Sequence, residues 1–145
     1  MAEIADKEIA AFFDSYRSAF EKRDVPAIVL HFRFPLQVTG DAGQVTTVVV
    51  PTAEAWRPQI EGLLAGYARL SVHTAEVVSS QVTRLSPRLA QAAIHWRLVS
   101  ADAKPVYEFD ASYTLATSED GLKVTAIAHN EQLKAREAME KRSAS

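Results

Sequence analysis

The chain has 145 residues, of which 48% are hydrophobic and 23% are charged, and its formal net charge is −2. This length and balance are typical of one globular domain with a single core, and they exclude a disordered chain or a fibre. The charge is balanced along the chain, without the basic stripe of nucleic-acid-binding proteins, and the absence of cysteine excludes disulfides, thiol nucleophiles and thiolate metal sites.

The first part of the chain has the apolar spacing of helices. Large apolar side chains recur every three or four residues between Phe12 and Phe20, which predicts a first helix over residues 4–22. Asp24 is a suitable N-cap for a second, short helix, and Pro26 falls in its first turn, where the missing N–H costs nothing. Two helices joined by a tight turn are therefore expected.

A hairpin and a third helix follow. Pro35 disfavours helical geometry at the residue before it, so the chain is expected to become extended there. Turn residues at 40–43 precede a β-branched run at 44–50, which predicts a β-hairpin. Thr52 is the expected N-cap of the third helix. Pro58 lies well inside that helix and predicts a kink or a restart beside it.

The second half of the chain has the period of strands. After Leu70 the apolar period changes to two, and turn signals at 86–87, 101–105 and 118–121 divide the sequence into four antiparallel strands. Their apolar face needs cover, which only the helices can provide. The predicted fold class is α+β, with a curved antiparallel or mixed sheet wrapped around three helices from the N-terminal half.

Side chains alternate between the two faces of a strand, so aligning each hairpin about its turn predicts the pairing. Placing Trp96 opposite Phe109 gives three further apolar pairs on the same face. The apolar face is then predicted to continue through His73, Ala75, Val77, Ser79 and Gln81 on one flank and through Val124, Ala126, Ala128 and Asn130 on the other. The opposite, charged face is predicted to carry Glu76, His95, Arg97, Glu108, Asp110 and His129. A bulge near Val78 would shift one edge.

The order of these elements resembles the nuclear transport factor 2-like superfamily of cone-shaped domains, which includes the SnoaL-like and ketosteroid isomerase-like proteins. Two sequence segments carry the resemblance. They are EKRDVPAIVLHF at the end of the first helix and EDGLKVTAIAHNEQ at the last strand. The resemblance spans about residues 5–132. It implies a curved sheet and helices around a pocket, and a homodimer formed through the outer sheet face. It does not imply one function, because this fold hosts several.

Ketosteroid isomerase allows a comparison residue by residue. Tyr16 falls where the isomerase family has its oxyanion-hole tyrosine. The general-base aspartate of that family would fall at Gly40, with Asp41 only adjacent, and its protonated aspartate would fall at Ala111. Without these carboxylates the resemblance does not extend to steroid isomerisation.

The apolar face and the helices together predict a pocket for a small, mostly apolar ligand. Its predicted lining is Tyr16, Trp56, Tyr67, His73, Trp96, Tyr107, Tyr113 and Asn130. Tyr16 and His31 are the candidate catalytic residues. Tyr16 is a candidate because a buried tyrosine hydroxyl usually needs a hydrogen-bond partner. His31 is a candidate because the pKa of histidine lies close to neutral pH, where its ring can act as a base. Each also has a structural interpretation, Tyr16 as a core residue and His31 as a complement to a helix C-terminus.

The predicted charged face has its own interpretations. We expect it to form a homodimer interface. An alternative interpretation is a metal site formed by His95, Asp110 and His129 side by side. A metal site would need a third or fourth ligand and protection from solvent, and no helix is expected to cover this face. The sequence leaves open whether the protein is an enzyme with isomerase, cyclase or dehydratase-like chemistry or a non-catalytic interaction module.

Location and domain limits follow from the ends of the chain. The opening MAEIADKEIA places charges where a signal peptide needs an apolar core, and no window approaches the ~20 apolar residues of a membrane span. We expect a cytoplasmic protein with no membrane or nucleic-acid partner, no cofactor and no metal. We predict one domain over residues 1–145, with its core at about 5–132 and a polar, frayed helical tail at 133–145.

Overall fold

The structure of the protein is a computed structural model that describes residues 3–144. Met1, Ala2 and Ser145, the last residue of the predicted tail, lie outside the described residues. The helices are α1 (Asp6–Glu21), α2 (Val25–Val29), α3 (Ala53–Arg69) and α4 (Glu131–Ala144). The strands are β1 (Phe32–Asp41), β2 (Val45–Val50), β3 (Thr74–Ser86), β4 (Leu89–Val99), β5 (Pro105–Ser118) and β6 (Gly121–His129).

The second and third helices begin where the sequence predicts, and α1 lies within the range predicted for the first helix. The Asp24 side chain accepts a hydrogen bond from the amide of Ala27 at 3.1 Å, and the Thr52 side chain accepts one from Ala55 at 3.2 Å. Both caps are therefore confirmed. α3 continues without a restart through Pro58, because its buried face keeps helical spacing on both sides of the proline and packing outweighs one lost hydrogen bond.

Six strands form one mixed sheet in the order β2-β1-β6-β5-β4-β3. Each neighbouring pair is antiparallel except β1 and β6, which are parallel. The predicted α+β class and the meander are confirmed. The predicted β4–β5 register is also confirmed, since Trp96 lies opposite Phe109 and the pairs on either side follow.

Two bulges overturn the predicted faces at the flanks of the meander. A register shift between Val77 and Ser79 places Ser79 and Gln81 on the same face as His95, away from the helices. A second shift near Thr125 brings His129 opposite Ala111 rather than beside Asp110. One extra residue in a strand moves every later side chain to the other face. The apolar face therefore loses Ala126, Ala128 and Asn130 and gains Ile127 and His129.

The end of the chain is part of the fold rather than a frayed tail. α4 packs on β5 and β1, and Ala135, Ala138 and Met139 lie against the core. The core between the helices and the inner sheet face includes Leu36 and Leu115, both 0% exposed. In the part of the chain described, no helix has the length and apolar character needed to cross a membrane.

Candidate functional site

Two neighbouring cavities lie between the helices and the inner face of the sheet. The larger has a volume of about 160 Å³, and the smaller has about 50 Å³ and lies beside α1 and the start of β3. Six side chains line both cavities, namely Tyr16, Phe20, Leu63, Phe109, Tyr113 and Glu131. Most of this lining is apolar or aromatic, and Glu131 is the carboxyl group that both cavities share.

Glu131 is a buried acid, only 8% exposed. Its Oε2 atom accepts hydrogen bonds from the hydroxyl groups of Tyr67 at 2.7 Å and Tyr107 at 2.8 Å. Burial raises the pKa of the Glu131 carboxyl to about 7, although the two tyrosine hydrogen bonds act in the opposite direction. A carboxyl group with this pKa can both take and return a proton near neutral pH.

All four tyrosines of the chain surround this carboxyl. Burial raises the pKa of Tyr16, Tyr67, Tyr107 and Tyr113, and the charge of Glu131 raises each of them further. The Tyr113 hydroxyl also accepts a hydrogen bond from Nε1 of Trp96 at 2.9 Å. The tyrosines therefore stay protonated and serve as hydrogen-bond donors, which leaves Glu131 as the acid–base group of this cluster.

His129 also lines the larger cavity, where Gln59 and Gln132 are further polar residues. Its Nδ1 atom accepts a hydrogen bond from the backbone N–H of Glu131 at 3.1 Å. Burial lowers the pKa of the His129 ring, so the ring is neutral near pH 7. Since Nδ1 is an acceptor, the single proton of the neutral ring lies on Nε2.

The two positions where the isomerase family has carboxylates, Gly40 and Ala111, lie close to His129. A Cβ atom at Gly40 would lie 3.5 Å from Nε2 of His129, so the place of that family's base faces a histidine in this chain. Ala111 is buried and lines the larger cavity. Glu131, in the first turn of α4, supplies a carboxyl to the cavity from a different element.

Most of the predicted pocket residues do reach the interior. Tyr16 and Tyr113 line both cavities, Trp56 lines the larger one, and Tyr67, Trp96 and the exposed His73 line the smaller one. Tyr107 contacts the site through its hydrogen bond to Glu131. Asn130 is misplaced in the prediction, because it lines a groove on the outer sheet face and accepts a hydrogen bond from the amide of Asp110.

His31 lies outside both cavities. Its Nδ1 atom is 2.8 Å from the carbonyl oxygen of Ala27, which can only accept, so Nδ1 donates. Its Nε2 atom is 2.9 Å from Oγ of Ser15. Burial lowers the pKa of His31. Both ring nitrogens have partners within α1 and α2, so the structure does not bring His31 to the two cavities.

The outer sheet face holds a charged network. His95 lies between Asp110, 2.8 Å from Nδ1, and Glu108, 2.7 Å from Nε2. These hydrogen bonds, first to Asp110 and then to Glu108, raise the pKa of His95. Arg97 contacts Glu108 and Glu76. Five of the six predicted residues therefore share this face.

His129 is the exception on that face, because the bulge in β6 places it opposite Ala111 with its ring against Gly40. The proposed trio of His95, Asp110 and His129 is therefore not assembled. Among residues 3–144, no group of three or more histidine, aspartate or glutamate side chains is placed to hold a metal ion.

Sequence reasoning missed Glu131 entirely. The residue stands between the last strand and a polar stretch, where Gln132 and Lys134 are typical of a solvent-exposed segment. Only the packing of α4 on the sheet buries it. The one local signal is an acid in the first turn of a helix, which is common on protein surfaces and does not indicate a site.

Comparisons with known proteins agree on the fold. A structure from Nostoc punctiforme with a cystatin-like fold and unknown function has a TM-score of 0.69 at 12% identity and covers 90% of this chain and 94% of its own. An NTF-2 like protein of unknown function from Shewanella oneidensis has a TM-score of 0.65 at 12% identity, and the match covers 86% of this chain and 97% of that protein.

A further structure, from Novosphingobium aromaticivorans, is provisionally described as an aromatic ring hydroxylase. Its TM-score is 0.64 at 15% identity, and 85% of each chain is covered. At these identities the likeness concerns the fold alone. No curated protein was found to match. The family model described as NTF2-like protein (DUF6841) matches residues 6–132. The chain therefore belongs to this NTF2-like family.

Proposed function

We propose that the protein binds a compact organic molecule in its interior cavities and that Glu131 transfers a proton on that molecule. The observation that carries the proposal is the buried Glu131 carboxyl, with a pKa of about 7, on the wall that both cavities share. Isomerase, cyclase and dehydratase reactions all need such an acid–base group. The mostly apolar lining favours a ligand with few polar atoms.

The size of the larger cavity limits the ligand. A cavity of about 150 Å³ with apolar walls holds one benzene molecule, and the larger cavity has about 160 Å³. A single six-membered ring with a small substituent fits this volume. A steroid does not, which agrees with the missing isomerase carboxylates at Gly40 and Ala111.

Ligand binding is tested by filling the cavity. Ala111 is buried, lines the larger cavity and lies on the inner face, so Ala111→Leu places three extra carbon atoms in the ligand space. We expect a panel of monocyclic ketones and phenols to contain at least one that stabilises the wild type. A ligand at ten times its Kd adds about 1.4 kcal/mol, or roughly 3–5 °C in Tm for this size of domain. Ala111→Leu should abolish the shift.

Gln91→Leu is the matched control, because Gln91 is exposed on the outer face of β4. This variant adds a leucine of the same size and should keep the full ligand-induced shift in a thermal unfolding assay. A panel without any stabilising compound, or a shift that Ala111→Leu retains, would contradict ligand binding in this cavity.

We infer a second function for the outer sheet face, that of a homodimer interface. The face has a groove of about 520 Å³. Exposed small side chains from four strands line it, namely Ser79, Ala93, Ser112 and Ala128. Charges of both signs lie beside it, so a two-fold arrangement can place an acidic side chain of one copy against a basic side chain of the other.

Reversing one of these charges tests the interface. Arg97→Glu leaves Glu76 and Glu108 facing a third acid, and we expect the dimer dissociation constant to rise by at least about tenfold in analytical ultracentrifugation. Arg88→Glu makes the same charge change at an exposed turn, and we expect it to leave the dimer dissociation constant unchanged. Equal dissociation constants for wild type and Arg97→Glu would count against this interface.

A further inference from the structure

The two tryptophans of the chain differ in the hydrogen bonding of their indole N–H groups. Nε1 of Trp96 donates to the Tyr113 hydroxyl at 2.9 Å. Nε1 of Trp56 is buried and has no hydrogen-bond partner within residues 3–144. Buried tryptophan N–H groups usually find an acceptor, and leaving one unpaired costs free energy. The missing acceptor is the unexplained feature of this core.

The position of Trp56 connects this donor to the cavity. Trp56 is the fourth residue of α3, is 7% exposed and packs edge to face on Phe32, with the ring centroids 5.4 Å apart. Its side chain also lines the larger cavity, whereas Trp96 lines the smaller one. A molecule in the larger cavity can therefore supply the acceptor that the protein itself does not.

A second donor lies on the same cavity. With Nδ1 of His129 accepting from the Glu131 amide, the neutral ring carries its proton on Nε2. A Cβ atom at Gly40 would lie 3.5 Å from this Nε2 atom and 3.7 Å from Oε1 of Gln132, and both His129 and Gln132 line the larger cavity. Trp56 comes from α3 and His129 from β6, and both side chains line the larger cavity. The cavity thus combines two ring N–H donors with the Glu131 carboxyl.

The charges around the cavity limit what these donors can hold. No lysine or arginine is among the residues that line the larger cavity. An anionic ligand would meet no counter-charge there and would be repelled by Glu131 in its ionised form. An uncharged molecule with an acceptor oxygen satisfies the donors without this penalty.

We propose that the larger cavity selects an uncharged, single-ring carbonyl compound whose oxygen accepts hydrogen bonds from Nε1 of Trp56 and Nε2 of His129. The inference rests on the proposed ligand-binding function of the cavity and names the ligand class. In the same complex the carboxyl of Glu131 faces the ring, where it can reach a hydrogen on a carbon beside the carbonyl.

The test compares two probes of nearly equal shape. Cyclohexanone carries a carbonyl oxygen, and methylenecyclohexane carries a CH₂ group in its place. For the wild type we expect cyclohexanone to bind at least about tenfold more tightly, because only the ketone pairs the two donors. In Trp56→Phe this preference should shrink to about twofold to threefold, while methylenecyclohexane binding, measured by calorimetry, stays the same.

A second measurement needs no variant. The two indole N–H signals in a proton–nitrogen NMR spectrum belong to Trp56 and Trp96. Cyclohexanone should move the Trp56 signal downfield and slow its exchange with solvent, and the Trp96 signal serves as the internal reference. Methylenecyclohexane should not produce the downfield shift.

The outcomes separate this inference from the proposed function. Equal affinity of the wild type for the two probes, with an unmoved Trp56 signal, would overturn the ligand class and leave the cavity as a binding site. Binding of neither probe would overturn both. Tighter binding of cyclohexanecarboxylate than of cyclohexanone would also overturn the ligand class, because it would show that the cavity accepts an anion.

Discussion

Glu131→Gln should be more stable than the wild type above pH 7. In the unfolded chain the carboxyl loses its proton near its ordinary pKa of 4.5, and in the folded protein it does so at about 7. Between these values the folded state holds a proton that the unfolded state has lost, so wild-type stability falls as pH rises through this window. The total loss is roughly 3 kcal/mol. Glutamine keeps an acceptor oxygen for Tyr67 and Tyr107 and has no charge to bury.

Urea unfolding at pH 5, 6, 7 and 8 measures the effect. The wild type and Glu131→Gln should differ most at pH 8 and approach each other at pH 5. Glu140→Gln removes an acid from an exposed position on α4 and should follow the wild type throughout. If the free energies of unfolding of wild type and Glu131→Gln fell in parallel with rising pH, the raised pKa would be wrong.

The same substitution should remove proton-transfer activity. The Glu131 carboxylate can take a proton from the carbon beside the carbonyl of bound cyclohexanone, leaving an enolate, and the resulting acid exchanges with solvent and returns a proton to that carbon. In D₂O this cycle replaces hydrogen by deuterium and consumes no other reactant. A positioned base contributes about 10²–10⁴-fold, so Glu131→Gln should slow the protein-catalysed exchange at least about 100-fold.

Proton NMR of the ketone follows this exchange directly. Because the ionised form of Glu131 is the base, the wild-type rate should rise with pH and level off above about 7. Glu140→Gln should retain the wild-type rate and pH profile. Exchange that persists in Glu131→Gln, or that shows no inflection near pH 7, would assign the proton transfer to a different group.

The parts of the fold that follow local rules were predictable from the sequence. Asp24 and Thr52 cap helices because their short side chains reach the free amides of the first turn. The β4–β5 register was predictable because alternation, paired charges and a short turn all require the same alignment. The resemblance of element order to the cone fold agrees with the family that matches residues 6–132.

The errors have a common physical cause. The bulges near Val78 and Thr125 each insert one residue. The first falls where a bulge was expected from the sequence, whereas threonine at position 125 is a residue type common in regular strands. A single insertion reverses the faces of all later side chains in the strand. His129 and Asn130 therefore exchange sides relative to the prediction, and the candidate metal trio is not formed.

By itself, the sequence determined the α+β class and the order of helices and meander. It also determined that Tyr16, Trp56 and Tyr113 lie between the helices and the inner sheet face, where they line the larger cavity. These depend on periodicity and local capping, which each segment carries in its own residues. Only the tertiary structure decided the chemistry. The packing of α4 buries Glu131 among tyrosines distant in sequence, and a pKa near 7 arises from that burial rather than from any local motif.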